Sequence, residues 1–212
     1  MPIRYINRMG EAYRLMVGVN RSGGPNYYAV SETRSRRKKR TAEGNASSVP
    51  EAAPLDAIPD GYEIYERPDT GQVLVRRTPA TRVRPEEREA VESSVHRLAG
   101  YEVCSVIAEG DFVVVYIPDR DREDLEEILD RFHVFGDAHR EESRRHLMAT
   151  ATQRRALRFV LRDETARMYS AERWCSVGDG YWMSLPHPSG PLHELLKAYV
   201  PHLGRESFYE LG

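Results

Sequence analysis

Cysteine is scarce in this chain, and long apolar runs are missing altogether. Cys104 and Cys175 are its only cysteines, far apart and in no Cys-x-x-Cys pair. That predicts buried or incidental thiols rather than a disulfide, and a reducing cytoplasm as the location. No apolar run approaches the ~20 residues of a membrane span. The opening residues 1–15, MPIRYINRMGEAYRL, lack the apolar centre of a secretory signal. Nucleotide-binding loops are missing too. RSGGPN at 21–26 is followed by neither a helix nor Lys-Ser/Thr, and VGDG at 177–180 lies between expected strands. His-Glu-x-x-His is absent, and no paired acid–base constellation or internal repeat is legible.

What is present is charge, unevenly placed. Hydrophobic residues make up 40% and charged ones 30% of 212 residues, within the range of soluble globular chains. The formal net charge of −2 hides an asymmetry. Residues 1–40 hold ten Lys/Arg against Glu11 and Glu32, a net of +8, and the remaining 21 basic and 31 acidic residues leave −10. A basic arm on an acidic body is the expected arrangement.

The stretch IPDGYEIYERPDTGQVLVRR, 58–77, reads as a hairpin around which the chain is organised. Tyr62 and Ile64, then Val73 and Val75, keep the two-residue period of strands. Pro68-Asp69-Thr70-Gly71 supplies turn chemistry between them. Upstream, 12–19 and 27–31 form an earlier hairpin around the NRSGGPN turn. A lone hairpin is marginal in water, so it must pack, with the second hairpin as its partner. From 33 to 57 apolar periodicity collapses, which predicts a flexible linker.

Downstream, 84–99 predicts a helix, with Pro85, Glu86 and Glu87 in its first turn and Gly100 as its stop. Residues 101–107 and 111–117 predict a hairpin whose second strand, apolar at both parities, is central. Residues 121–135 give an amphipathic helix with Leu125, Ile128, Leu129, Phe132 and Phe135 on one face, packed on that strand. Residues 137–152 predict an exposed helix or connector. Strands follow around 157–161, 167–175 and 181–185, then a helix over 191–200 and a docking tail. The expected fold class is α+β: antiparallel hairpins and a meander packed with three to four helices, plus a basic N-terminal hairpin arm. The expected domains are a hairpin at 1–32, a linker at 33–57 and an acidic body at 58–212.

Three stretches resemble an uncharacterised family of bacterial proteins: YRLMVGVNRSGGPNYYAVSE, IPDGYEIYERPDTGQVLVRR and YVPHLGRESFYEL. Together they span the chain, which implies kinship over its full length. That family has no assigned activity, so the resemblance carries over no functional residue. In this chain the turn at 20–25 is less basic than in the family, and RSRRKKR is an addition.

The functional hint in the residues themselves is aromatic side chains interleaved with basic ones. Arg14, Arg21, Tyr27 and Tyr28 are followed by Arg34, Arg36, Arg37, Lys38, Lys39 and Arg40. Such cations neutralise phosphates, and tyrosines stack on bases; the bland alternative is core tyrosines beside a solubilising linker. His139, Glu142 and His146 would share one helical face and suit zinc or manganese, although a solvated charged face explains them better. Cys175 with His187 or His193 would make a thiol nucleophile, and Trp174 and Trp182 around the Gly-rich turn a pocket rim; a packed turn accounts for both. The expectation is therefore a non-enzymatic protein without cofactor, contacting nucleic acid or a complex that acts on it through the arm. Protein–protein adaptation or self-association is the alternative, and a small hydrolase or metal-dependent enzyme the third.

Overall fold

The computed structural model describes residues 1–33, 52–120, 122–132 and 136–211. Its elements confirm the α+β class, with antiparallel strand ladders throughout both units. The chain divides into two compact units, Met1–Thr78 and Pro79–Gly212. The 58–77 hairpin thus belongs with the N-terminal strands, whereas the sequence grouped it with the segment that follows. Among the described residues, no helix is long and apolar enough to cross a membrane.

In the first unit, β2 (Ala12–Val19) is the hub. One edge pairs with β3 (Pro25–Ser31); the other pairs first with β1 (Arg4–Ile6) and then with β4 (Ala53–Pro54). The last residues of the expected linker are therefore ordered: Ala53 and Pro54 form a strand and Leu55 is buried. The reason is local pairing, because Leu55 exchanges backbone hydrogen bonds with Ile3 and Leu15.

The second hairpin, β5 (Tyr62–Glu66) and β6 (Val73–Arg77), packs on β3 as expected. Side chains from the loop after β1 hold its turn. Asn7, buried, donates from Nδ2 to the Gly71 carbonyl at 2.7 Å and accepts the Glu11 N–H at 2.8 Å. The Arg8 guanidinium donates to Glu66 at 3.2 Å and to the carbonyls of Arg67 and Pro68. Fixed polar bonds at both ends of the turn pin the register of the hairpin beneath it.

The second unit is built on a sheet of order β11-β10-β9-β8-β7. Its strands are β7 (Ser105–Glu109), β8 (Phe112–Pro118), β9 (Gln153–Asp163), β10 (Met168–Cys175) and β11 (Tyr181–Ser184), with the short β12 (Gly190–Pro191) also on β10. β8 is an interior strand, flanked by β7 and β9, as its apolar run predicts, and β9 is the middle one. One face of the sheet carries Val113, Val115, Leu157, Phe159, Tyr169 and Ala171. That face joins a single core with Val91 and Val95 of the first helical segment and with Leu195, Leu196 and Tyr199 near the C-terminus. Those side chains come from α1 (Pro85–Ser94), continued by a π-helical turn (Val95–Ala99), and from α4 (Leu192–Tyr199).

Between β8 and β9 run α2 (Arg122–Arg131) and α3 (Asp137–Thr150). The helix α2 lies against α3, tied by Arg140 to Glu126 at 2.7 Å and to Asp130 at 2.9 Å. It also ends at Arg131, so Phe132 lies beyond its last turn and is 73% exposed, while Leu125 and Leu129 are buried. Phe135 lies outside the described residues. Residues 101–104 also differ from expectation, forming a loop before β7. Last, α5 (Ser207–Glu210) docks through buried Phe208, whose carbonyl accepts a 2.7 Å bond from buried Arg173.

Candidate functional site

The β2–β3 register separates the two tyrosines that are adjacent in sequence. Tyr28 pairs with Met16 and Val30 with Arg14, while Arg4 lies across from Arg14 on the other side. Arg4, Arg14, Met16 and Tyr28 therefore share one face of the sheet, because side chains alternate along a strand. Arg4 and Arg14 both reach Glu32, at 3.5 Å each, so among the described residues the two guanidinium groups share one acidic counter-charge. Tyr27 belongs to the opposite face, alongside buried Tyr13 and Leu15, and meets Tyr62 edge-on at 4.7 Å. Arg21 is exposed in a turn whose backbone is held by the Asn20 carboxamide. Arg34, Arg36, Arg37, Lys38, Lys39 and Arg40 lie outside the described residues.

A second cationic–aromatic surface appears only through strand pairing. On the face of the six-stranded sheet opposite its core, Trp174 of β10 pairs across with Trp182 of β11, the rings 5.2 Å apart and edge-to-face. Arg155 and Arg158 of β9 lie over Trp174 and Trp182, at 5.2 and 4.5 Å from the ring centroids. Arg158 also stands 5.6 Å from the Phe112 ring of β8. Glu172, buried between two guanidinium groups, accepts Nε of Arg158 at 2.7 Å and Nη2 of Arg162 at 3.0 Å. It fixes the plane of Arg158, while Phe112, Trp174 and Trp182 stay partly exposed.

The Gly-rich turn after β10 has a packing role as well. Gly180 has φ +76°, and a Cβ there would overlap the Trp174 ring. The sequence showed the two tryptophans near this turn. The arginines are not adjacent to them in sequence, because β9 delivers them from well upstream.

Other sequence candidates are dispersed. His139, Glu142 and His146 do share helix α3, but all three are exposed. Among the described residues no group of three His, Cys, Asp or Glu side chains is placed to hold a metal ion. Cys175 ends β10 opposite Tyr181. His187 is engaged with Tyr199, its backbone N–H donating to the phenol oxygen at 2.9 Å, and exposed His193 stands 4.0 Å from Glu194. No hydrogen bond joins Cys175 to either histidine among the described residues.

The thiol with a base beside it is the other one. Cys104 Sγ lies 3.9 Å from His96 Nε2, and His96 Nδ1 donates to the Tyr101 carbonyl at 2.6 Å. With Nδ1 donating there, Nε2 is the ring nitrogen that faces the thiol. Burial, and then the negative charge of Glu92, push the Cys104 thiol up to about 11. The contact therefore braces the loop after the π turn, and a thiol raised in this way lacks the thiolate a nucleophile needs.

No family model, curated protein or solved structure matches the chain.

Proposed function

We propose that this protein binds single-stranded nucleic acid, stacking bases on the Phe112/Trp174/Trp182 face and contacting phosphates with arginine. The observation that carries the reading is the Trp174–Trp182 pair with Arg155 and Arg158 laid over its rings. Aromatic rings alternating with guanidinium groups on a sheet face make a sequence-tolerant stacking platform, worth about 1–3 kcal/mol per base. The chain's cationic chemistry fits the same use. Lys38, Lys39 and Lys197 are its only lysines, and the rest of its 31 Lys/Arg are arginines, the planar cation that both stacks and forks onto phosphate. The N-terminal unit offers cations of its own in Arg4, Arg14 and Arg21, and the sequence adds six more in the 34–40 tract.

The test is fluorescence anisotropy of labelled oligonucleotides, single-stranded and duplex, from low to physiological salt. Single strands are expected to bind more tightly than duplex. The slope of log K against log salt is expected to be about −0.7 for each phosphate engaged. Trp182→Ala and Arg155→Ala should each weaken single-strand binding by roughly five- to a hundredfold. Neutralising the 34–40 tract should flatten the salt slope on every sequence. No binding at low salt overturns the reading. Sedimentation showing salt-sensitive self-association that Trp182→Ala abolishes would then assign the same face to a second copy of the chain.

A further inference from the structure

Apart from both aromatic surfaces, the second unit contains a cleft of about 530 Å³, within the usual size of small-molecule sites. Its walls are the loop after the π turn, the side of α3, Leu125 of α2 and the turn Leu203-Gly204-Arg205. A neighbouring hollow of about 400 Å³ shares Tyr101, Arg120, Gly204 and Arg205 with it.

The lining divides into two kinds of surface. Leu125, Met148 and Leu203 give an apolar wall, with Leu125 and Leu203 almost fully buried. Four guanidinium groups stand around it. Arg144 is tied to Glu126, at 3.1 Å from Nε, and to Glu141, and Arg145 lies 4.0 Å from Glu141. Arg120 and Arg205 are exposed, and neither forms an ion pair or side-chain hydrogen bond among the described residues. Of the two carboxylates that line the cleft itself, Glu141 is engaged by arginine and Glu102 faces the pair; the neighbouring hollow adds Glu206, Asp124 and Asp119, the last held by Arg154 at 3.3 Å. Within the cleft, four arginines face two carboxylates, and the two arginines without an ion partner among the described residues favour an anion there, because the planar fork matches carboxylate and phosphate oxygens.

The cleft is also preformed. Gly204 adopts φ +72°, and a Cβ at that position would collide with the Tyr101 hydroxyl. The same Tyr101 is held at its carbonyl by His96, from a π turn that closes on left-handed Gly100. Turns of π geometry recur at functional sites because they re-aim the residues beside them. Here the result is a rigid seam between the loop at 99–103 and the turn that carries Arg205.

We propose that this cleft binds a small organic anion, a phosphate or carboxylate on an apolar body, with Arg120 and Arg205 holding the anionic group and Leu125, Met148 and Leu203 covering the rest. The proposal is independent of nucleic-acid binding at the sheet face. Isothermal titration calorimetry on the full chain, with 1-naphthyl phosphate, 1-naphthoate and inorganic phosphate, tests it. At least one naphthyl compound should bind tenfold or more tightly than inorganic phosphate, and the tighter of the two identifies the head group. Arg120→Gln/Arg205→Gln should weaken that binding at least tenfold, whereas Trp182→Ala should leave it unchanged. The two single variants carry the same test if the double variant loses its circular dichroism. Three outcomes each overturn the proposal: no binding of either naphthyl compound at millimolar concentration, equal affinity for inorganic phosphate, or affinity untouched by the arginine variants.

Discussion

At Cys104 the chemistry follows from surroundings rather than from residue type. Burial and Glu92 raise the thiol to about 11, so near pH 8 only about one molecule in a thousand carries the thiolate, the reactive form. Alkylation by iodoacetamide, followed by mass spectrometry at pH 8, should therefore run at least tenfold slower at Cys104 than at a free cysteine. It should accelerate as pH rises towards 10. Rapid labelling of Cys104 at pH 7 would show an activated thiol and reopen the pairing with His96. The glycines make a similar point about context. Gly180→Ala combines a strained φ with overlap of the Trp174 ring, and it should cost about 1–3 kcal/mol in denaturant unfolding. Such a loss places the tryptophan edge as rigidly as its pairing with Trp182 implies.

Among the elements, α1 is anchored by charge at its first turn. Arg167, itself at a left-handed φ of +53°, donates to Glu87 from Nε at 2.9 Å and also meets the Tyr169 hydroxyl at 2.9 Å. Burial by itself would raise the Glu87 carboxyl. Hydrogen bonds from Arg167 and from the Arg84 N–H outweigh that and hold it below the ordinary carboxylate value. A depressed folded-state pKa contributes stability that is present above the unfolded value and is lost as pH falls through the folded one. Glu87→Gln should therefore destabilise the protein near pH 7 by about 1–3 kcal/mol, and the gap to wild type should narrow below pH 4. Equal destabilisation at pH 7 and pH 3 would place the loss in packing instead.

The next α-helix along the chain, α2, separates pattern from burial. Leu129→Ala should cost about 2–5 kcal/mol, because the side chain is 1% exposed. Phe132→Ala should cost no more than a few tenths, since its ring is already in solvent. The helical period treats these two residues alike. Denaturant titration of both variants distinguishes them.

On the scale of the molecule, every member of the main core cluster lies within Pro79–Gly212. A fragment of 79–212 should unfold cooperatively on its own. Met1–Thr78, with few fully buried apolar side chains, should be marginal by itself, as chains of that size commonly are. Circular dichroism melts of the two fragments test this; a non-cooperative 79–212 would mean that its core needs the first unit.

The sequence alone determined the α+β class, both N-terminal hairpins and most of the strands, because two-residue alternation and turn chemistry are local properties. It also placed Trp174 and Trp182 at one turn, and Arg14 and Tyr28 in one hairpin. Only the tertiary structure decided that Tyr27 faces inward while Tyr28 shares a face with Arg14. It decided too that Leu55 closes a sheet and that Phe132 misses the packed side of α2. Strand pairing alone brings Arg155 and Arg158 over the tryptophans, and chain folding alone puts Arg120 beside the cleft that Arg205 lines. Periodicity records which side of an element is apolar. Which distant element covers that side depends on pairing register and chain crossing, and these are settled by the sum of contacts made at once across the fold.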